Sequence, residues 1–151
     1  MSAAAHTGAR SRAREMIVQS LYQWQITGTA EADLLTQFRD RPEYRHVDQA
    51  YFDDVLSGIC KQVGELEKSI DRFTDRPLAQ LDPVERGILL LGIYELTEKP
   101  DVPFKVVINE AVNLARRFGA SDGHKYINAV LDRAVSELRP ASDKRGKQDG
   151  E

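Results

Sequence analysis

The sequence predicts an all-α fold of about seven helices, and three observations carry that prediction. Apolar residues recur at spacings of three and four in nearly every window. No stretch alternates apolar and polar side chains as a half-buried strand does, and no Asn-Gly hairpin signal occurs. At 151 residues the chain is one ordinary domain, or two small helical halves sharing a core. Hydrophobic residues at 41% and charged residues at 30% are the make-up of a globular protein rather than a disordered one.

The elements follow in order. Residues 1–9 are small or polar without periodicity and read as a flexible tail, as do residues 140–151, leaving a helical domain over 10–139. A first helix runs from about Arg10 to Ile26, with Ala13, Ile17, Leu21 and Trp24 on its core face, and Gly28 stops it. A short second helix from about Glu31 to Arg39 buries Leu34, Leu35 and Phe38 and ends before Pro42. Phe52, Leu56, Ile59, Val63, Leu66, Ile70 and Phe73 then form one stripe, with a break expected near Gly64 because glycine costs about 1 kcal/mol inside a helix. Asp82-Pro83 starts the next helix: an acid at the cap, then a proline where no donor is lost. The VERGILLLGIYEL run that follows is apolar nearly all round, as a buried central helix is. From Pro103, the residues Phe104, Val107, Ile108, Ala111, Leu114, Ala115 and Phe118 give the clearest amphipathic pattern in the chain, closed by Gly119. Ser121 or Asp122 is expected to cap a last helix carrying Ile127, Val130, Leu131, Ala134 and Leu138.

Several function classes drop out. A net charge of −3 excludes a uniformly basic coat for nucleic acid, though not a local patch. A single cysteine, Cys60, excludes an intrachain disulfide and a cysteine-based zinc site. The longest apolar run, Ile88 to Ile93, falls far short of the roughly 20 residues of a membrane span, and no export signal is visible. There is no phosphate loop, no dinucleotide fingerprint and no HExxH. His6, His46 and His124 lack ligand spacing, and His124 with Ser121 and Asp122 on one turn makes no nucleophile–base–orienter line. The expectation is a cytoplasmic, cofactor-free protein that is not an enzyme.

Charge placement is the more specific signal. Residues 1–14 hold Arg10, Arg12 and Arg14 and no acid, whereas residues 15–75 hold twelve acids against six Lys and Arg. Cations that meet phosphates release counterions, so a basic arm suits a nucleic-acid backbone. Arg116 and Arg117 end one helix, and Lys125 and Tyr126 open the next, a tight turn away. Cations interleaved with rings are what recognition of unpaired RNA uses. Phe118 completes the apolar stripe and reads first as core, while Tyr126 divides evenly between core and contact. The competing reading is a purely protein–protein helical adaptor in which the arm is only solvated surface.

Three blocks, ARSRAREMIVQSLYQWQ, LDPVERGILLLGIYEL and VPFKVVINEAVNLARRFGASDGHKYINAVLDRA, together resemble the NusB family of transcription antitermination factors over roughly residues 10 to 138. The resemblance implies two small helical bundles and no catalysis. It implies binding to the small-subunit ribosomal protein NusE, joint recognition of single-stranded boxA RNA, and entry into the RNA polymerase antitermination complex, chiefly on ribosomal RNA operons. It places RNA contacts on Arg10, Arg12, Arg14, Gln19, Phe118, Asp122, Lys125 and Tyr126, and the partner surface at Tyr22 and Glu85. Asp122 is expected to cap the last helix and to moderate affinity. Ser11 stands where related arms often carry arginine, and Tyr126 where phenylalanine is common. The apolar shoulder at Tyr22 suits a homodimer as well as a partner.

Overall fold

A computed structural model of the chain describes residues 3–140, and among them seven α-helices and two short 3-10 turns account for the regular structure. The helices are α1 (Ala3–Thr27), α2 (Glu31–Arg39), α3 (Gln49–Lys61), α4 (Val63–Phe73), α5 (Pro83–Glu98), α6 (Phe104–Phe118) and α7 (Gly123–Leu138). The 3-10 turns, Pro42–His46 and Leu78–Gln80, lie in the α2–α3 and α4–α5 connections. The described residues fall into two compact units that meet in sequence at Val63 and Gly64.

In the first unit α1 packs on α3 and α2. Ala13, Ile17 and Leu21 of α1, Leu34 and Phe38 of α2, and Phe52, Val55, Leu56 and Ile59 of α3 are fully buried or nearly so. Leu35 and Trp24 are only half-buried, so the core face of α1 turns toward Met16 and Val18 rather than reaching Trp24. The ring of Tyr44 meets Phe52 edge-on at 5.8 Å. Gly28 ends α1 at φ +72°, the left-handed conformation that glycine adopts without strain. Asp48 caps α3 by accepting the Tyr51 N–H at 3.1 Å, and its own N–H donates to the Ala9 carbonyl at 3.0 Å.

Helix α1 differs from expectation at its start. It begins at Ala3 rather than Arg10, so the backbone of residues 3–9 is helical and not a tail. Three alanines there favour helix, and it continues through Gly8 into the buried turns although glycine costs about 1 kcal/mol inside a helix. Residues 141–151, the rest of the expected C-terminal tail, lie outside the described residues.

The break between α3 and α4 falls at Gln62, two residues ahead of Gly64, which sits exposed in the first turn of α4. In the second unit α5 is the buried centre, with α6 and α7 packed on it and on each other. Asp82 caps α5 by accepting the Val84 N–H at 2.7 Å, and Pro83 follows, as the dipeptide predicts. Gly92 lets α7 approach closely: a Cβ there would lie 3.0 Å from both methyls of buried Leu131. Arg139, 4% exposed, closes the far end of α5. Its guanidinium donates to the carbonyls of Val102 at 2.7 Å, Leu96 at 2.8 Å and Lys99 at 3.2 Å. Leu96 and Lys99 lie where α5 ends and carbonyls lose their intrahelical donors, and Val102 lies in the connection beyond, so one buried cation satisfies several backbone acceptors at once.

Candidate nucleic-acid interface

At the start of α1 the three arginines point in different directions. Residues 10 and 14 are one turn apart and share a face, whereas residue 12 lies about 200° from residue 10. Arg14 is 2% exposed, with its guanidinium 5.5 Å from the Tyr51 ring centroid. Arg10, half-buried, stacks on the same ring at 4.2 Å and pairs with Asp48 at 3.4 Å. Arg12 is exposed, its Nε donating to the His46 carbonyl at 2.9 Å. Gln19 is exposed two turns further on. Of the expected arm, Arg12, Gln19 and part of Arg10 reach the surface, and Arg14 is an interior residue of this unit.

The second patch belongs to the other unit. Helix α6 ends with exposed Arg116 and Arg117, where cations complement the negative pole of the helix. The Arg117 guanidinium lies 5.3 Å from the centroid of half-buried Phe118, so that ring lies at the edge of the core and not inside it. Gly119 closes α6 in extended conformation, and a Cβ there would strike the Ala115 carbonyl oxygen at 2.8 Å. Asp122 occupies the N-cap position of α7 but makes no side-chain cap. Its carboxylate stands 3.7 Å from the Lys125 ammonium instead, correcting the expected cap. Both side chains are largely in solvent, where such a pair is worth little, so Lys125 remains open to another anion.

Tyr126 is held from behind. Its hydroxyl hydrogen-bonds Thr74, and the Arg76 guanidinium lies 4.1 Å from its ring centroid. Burial pushes its phenol pKa above the usual range, with Asp75 and Glu85 adding to that and Arg76 opposing it. Thr74 and Arg76 are the residues that sequence reasoning missed. They sit in the aperiodic connection between α4 and α5, where only the DRP run hinted at a fixed turn.

The two residues expected at a partner surface part company. Tyr22 is 45% exposed, and Ile26, one turn on along the same face of α1, is 57% exposed. Glu85 is 6% exposed, inside its own unit. Its Oε2 lies so near the first residue of α7 that a Cβ on Gly123 would stand 2.6 Å away. Burial, and then Asp82, raise the Glu85 pKa above the usual carboxylate range, with Arg76 opposing. In that first turn Pro83, Val84 and Arg86 are half-buried and take the outward side, while Glu85 falls on the buried side that continues into the apolar run of α5.

Half-buried Cys60 has its thiol pushed up to about 11 by burial and by Glu31, so it is a packing residue and not a nucleophile. Among the described residues no cluster of His, Cys, Asp or Glu is arranged to hold a metal ion. None of their helices is long and apolar enough to cross a membrane.

The profile of the NusB family matches residues 11–136. The transcription antitermination protein NusB of Halorhodospira halophila is 45% identical over 98% of this chain and 95% of its own. That of Nitrosospira multiformis is 47% identical over 85% of this chain and 81% of its own. Among solved structures, T. maritima NusB superposes with a TM-score of 0.75 at 26% identity, covering 90% of this chain and 96% of that one. A complex of the antitermination factors NusB and NusE with dsRNA contains a chain with TM-score 0.73 and 21% identity, covering 83% and 95%. At that identity the likeness speaks for the fold alone.

Proposed function

The chain belongs to the NusB family, and from that premise we propose that it is a non-catalytic transcription antitermination factor that binds RNA together with the ribosomal protein NusE. The RNA is a single-stranded boxA-type element of a nascent transcript, and the assembly joins RNA polymerase, notably on ribosomal RNA operons. It acts in the cytoplasm. The observation that supports the reading best is the α6–α7 corner, where Arg116, Arg117 and Lys125 stand exposed around two half-buried rings on one tight turn. That is the combination unpaired RNA calls for: cations for the backbone and ring faces for bases.

The corner supplies Lys125, Tyr126, Phe118 and Asp122, and α1 supplies Arg12, Gln19 and the open side of Arg10. Arg14 serves the site indirectly, by fixing Tyr51 and the start of α1. Tyr22, with Ile26 beside it, is the surface offered to NusE, and Glu85 shapes the start of α7 from within. Because the chain is acidic overall, its own affinity for RNA is modest and rises when the partner adds its contacts.

A mobility shift with short single-stranded RNA, with and without NusE, tests the reading. Binding that favours a boxA sequence over a scrambled one, and tightens with NusE, is expected. Equal binding of both RNAs in the presence of NusE contradicts sequence recognition. No binding in either condition leaves the protein–protein adaptor.

A further inference from the structure

A groove of about 380 Å³ runs along the α6–α7 face of the second unit, lined by Asn109, Val112, Arg116, His124, Lys125 and Asn128. That is the small end of the roughly 300–1,000 Å³ over which ligand sites range. Asn109, Val112 and Arg116 recur at spacings of three and four, so they form a second stripe on α6 beside the buried one of Val107, Ala111, Leu114 and Ala115. His124, Lys125 and Asn128 face them from the first turns of α7. Among the described residues Asn109, Arg116, His124 and Asn128 make no side-chain hydrogen bond or ion pair, so their donors and acceptors are turned to water.

We infer that this groove is a nucleotide subsite, which takes one unpaired base of an RNA strand between Asn109 and Asn128 and its phosphate on Arg116 and Lys125. The inference rests on the RNA-binding reading above, shares Arg116 and Lys125 with it, and extends it to Asn109, Val112, His124 and Asn128, which that reading does not use. A carboxamide carries a donor and an acceptor side by side, the match for a base edge that itself pairs a donor with an acceptor, as adenine does, whereas a cation offers donors alone. The half-buried His124 ring gives a base a face to stack on, and Val112 an apolar floor. An acidic peptide would engage the two cations but leave both amides and the ring idle.

The test uses the full chain and a short single-stranded RNA. Wild type, Arg116→Gln and the double variant Asn109→Ala/Asn128→Ala are titrated at several salt concentrations, and the His124 ring protons are followed by NMR. Asn109, Arg116 and Asn128 are exposed, so the variants keep the wild-type melting temperature. Arg116→Gln is expected to lower affinity and flatten the log–log salt slope by about 0.7, the loss of one phosphate contact to a single strand. The double variant keeps the slope and loses about fivefold or more of the preference between RNA sequences. RNA shifts the His124 signals in the wild type. RNA binding that stays intact in every groove variant, with His124 unmoved, overturns the subsite and leaves the RNA-binding reading standing. No RNA binding by wild type, with or without NusE, overturns both. An acidic peptide that shifts His124 while RNA does not assigns the groove to a protein ligand and overturns the inference too.

Discussion

Two arginine clusters of similar composition meet opposite fates in this molecule. At the start of α1, Arg14 is buried, Arg10 is committed to Asp48 and Tyr51, and only Arg12 stands clear on the surface. At the end of α6, Arg116 and Arg117 are both exposed, and Lys125 joins them across the turn. The difference is one of helical register. Residues 10, 14, 17 and 21 continue a single stripe, so the arginines at 10 and 14 ride the same face as the fully buried Ile17 and Leu21. Residues 116 and 117 lie off the stripe of Val107, Ala111, Leu114 and Ala115. A run of like charges in a sequence is therefore not a patch until the period has been laid over it.

The comparison can be broken most forcefully at Arg14. Arg14→Ala removes a buried side chain together with its packing and its contact on the Tyr51 ring, and is expected to cost about 2 kcal/mol in denaturant unfolding. Arg117→Ala, by contrast, is expected to stay within about 0.5 kcal/mol of wild type. Equal effects would mean that the two clusters are alike after all.

A second, smaller effect sharpens the picture of the corner. Gly123→Ala pushes a methyl against the Glu85 carboxylate and is expected to cost about 1 kcal/mol. Adding Glu85→Ala should remove that penalty, giving a coupling of about 0.5 kcal/mol or more in a double-mutant cycle. Additive costs would show that the added methyl does not meet the Glu85 side chain.

The smallest effect is in pH. A carboxyl with a raised folded pKa holds its proton longer in the native state. Its contribution is thus fully present below the usual 4.5 and is lost as pH rises through the folded value. Glu85→Gln is expected to melt above wild type at pH 7, with the gap closing as pH falls toward 4.5. A gap that widens on acidification would show that α7 favours the charged carboxylate.

Much of the fold was legible because periodicity reports burial directly. The α2 boundaries, the Asp82-Pro83 start, the buried α5 and the α6 stripe all follow from spacing and capping chemistry. The 3-10 turns were not legible, since five residues or fewer carry no period. Arg14 misled because charge reads as surface, although it sits at core spacing with Ile17 and Leu21; Glu85, placed at the partner surface by the family resemblance, is buried as well. Asp122 misled because a residue with cap chemistry still needs its side chain turned to the helix, and here it turns to Lys125. The support of Tyr126 by Thr74 and Arg76 joins residues some 50 positions apart, which no local pattern encodes.

The most direct trial is the salt dependence of RNA binding by wild type, Arg14→Ala and Lys125→Ala, measured on folded protein in the presence of NusE. An exposed phosphate contact should show itself as a log–log slope about 0.7 shallower in Lys125→Ala, while Arg14→Ala keeps the wild-type slope. The reverse pattern, with the slope lost at Arg14 and kept at Lys125, would contradict the assignment of the α6–α7 corner as the surface that meets RNA.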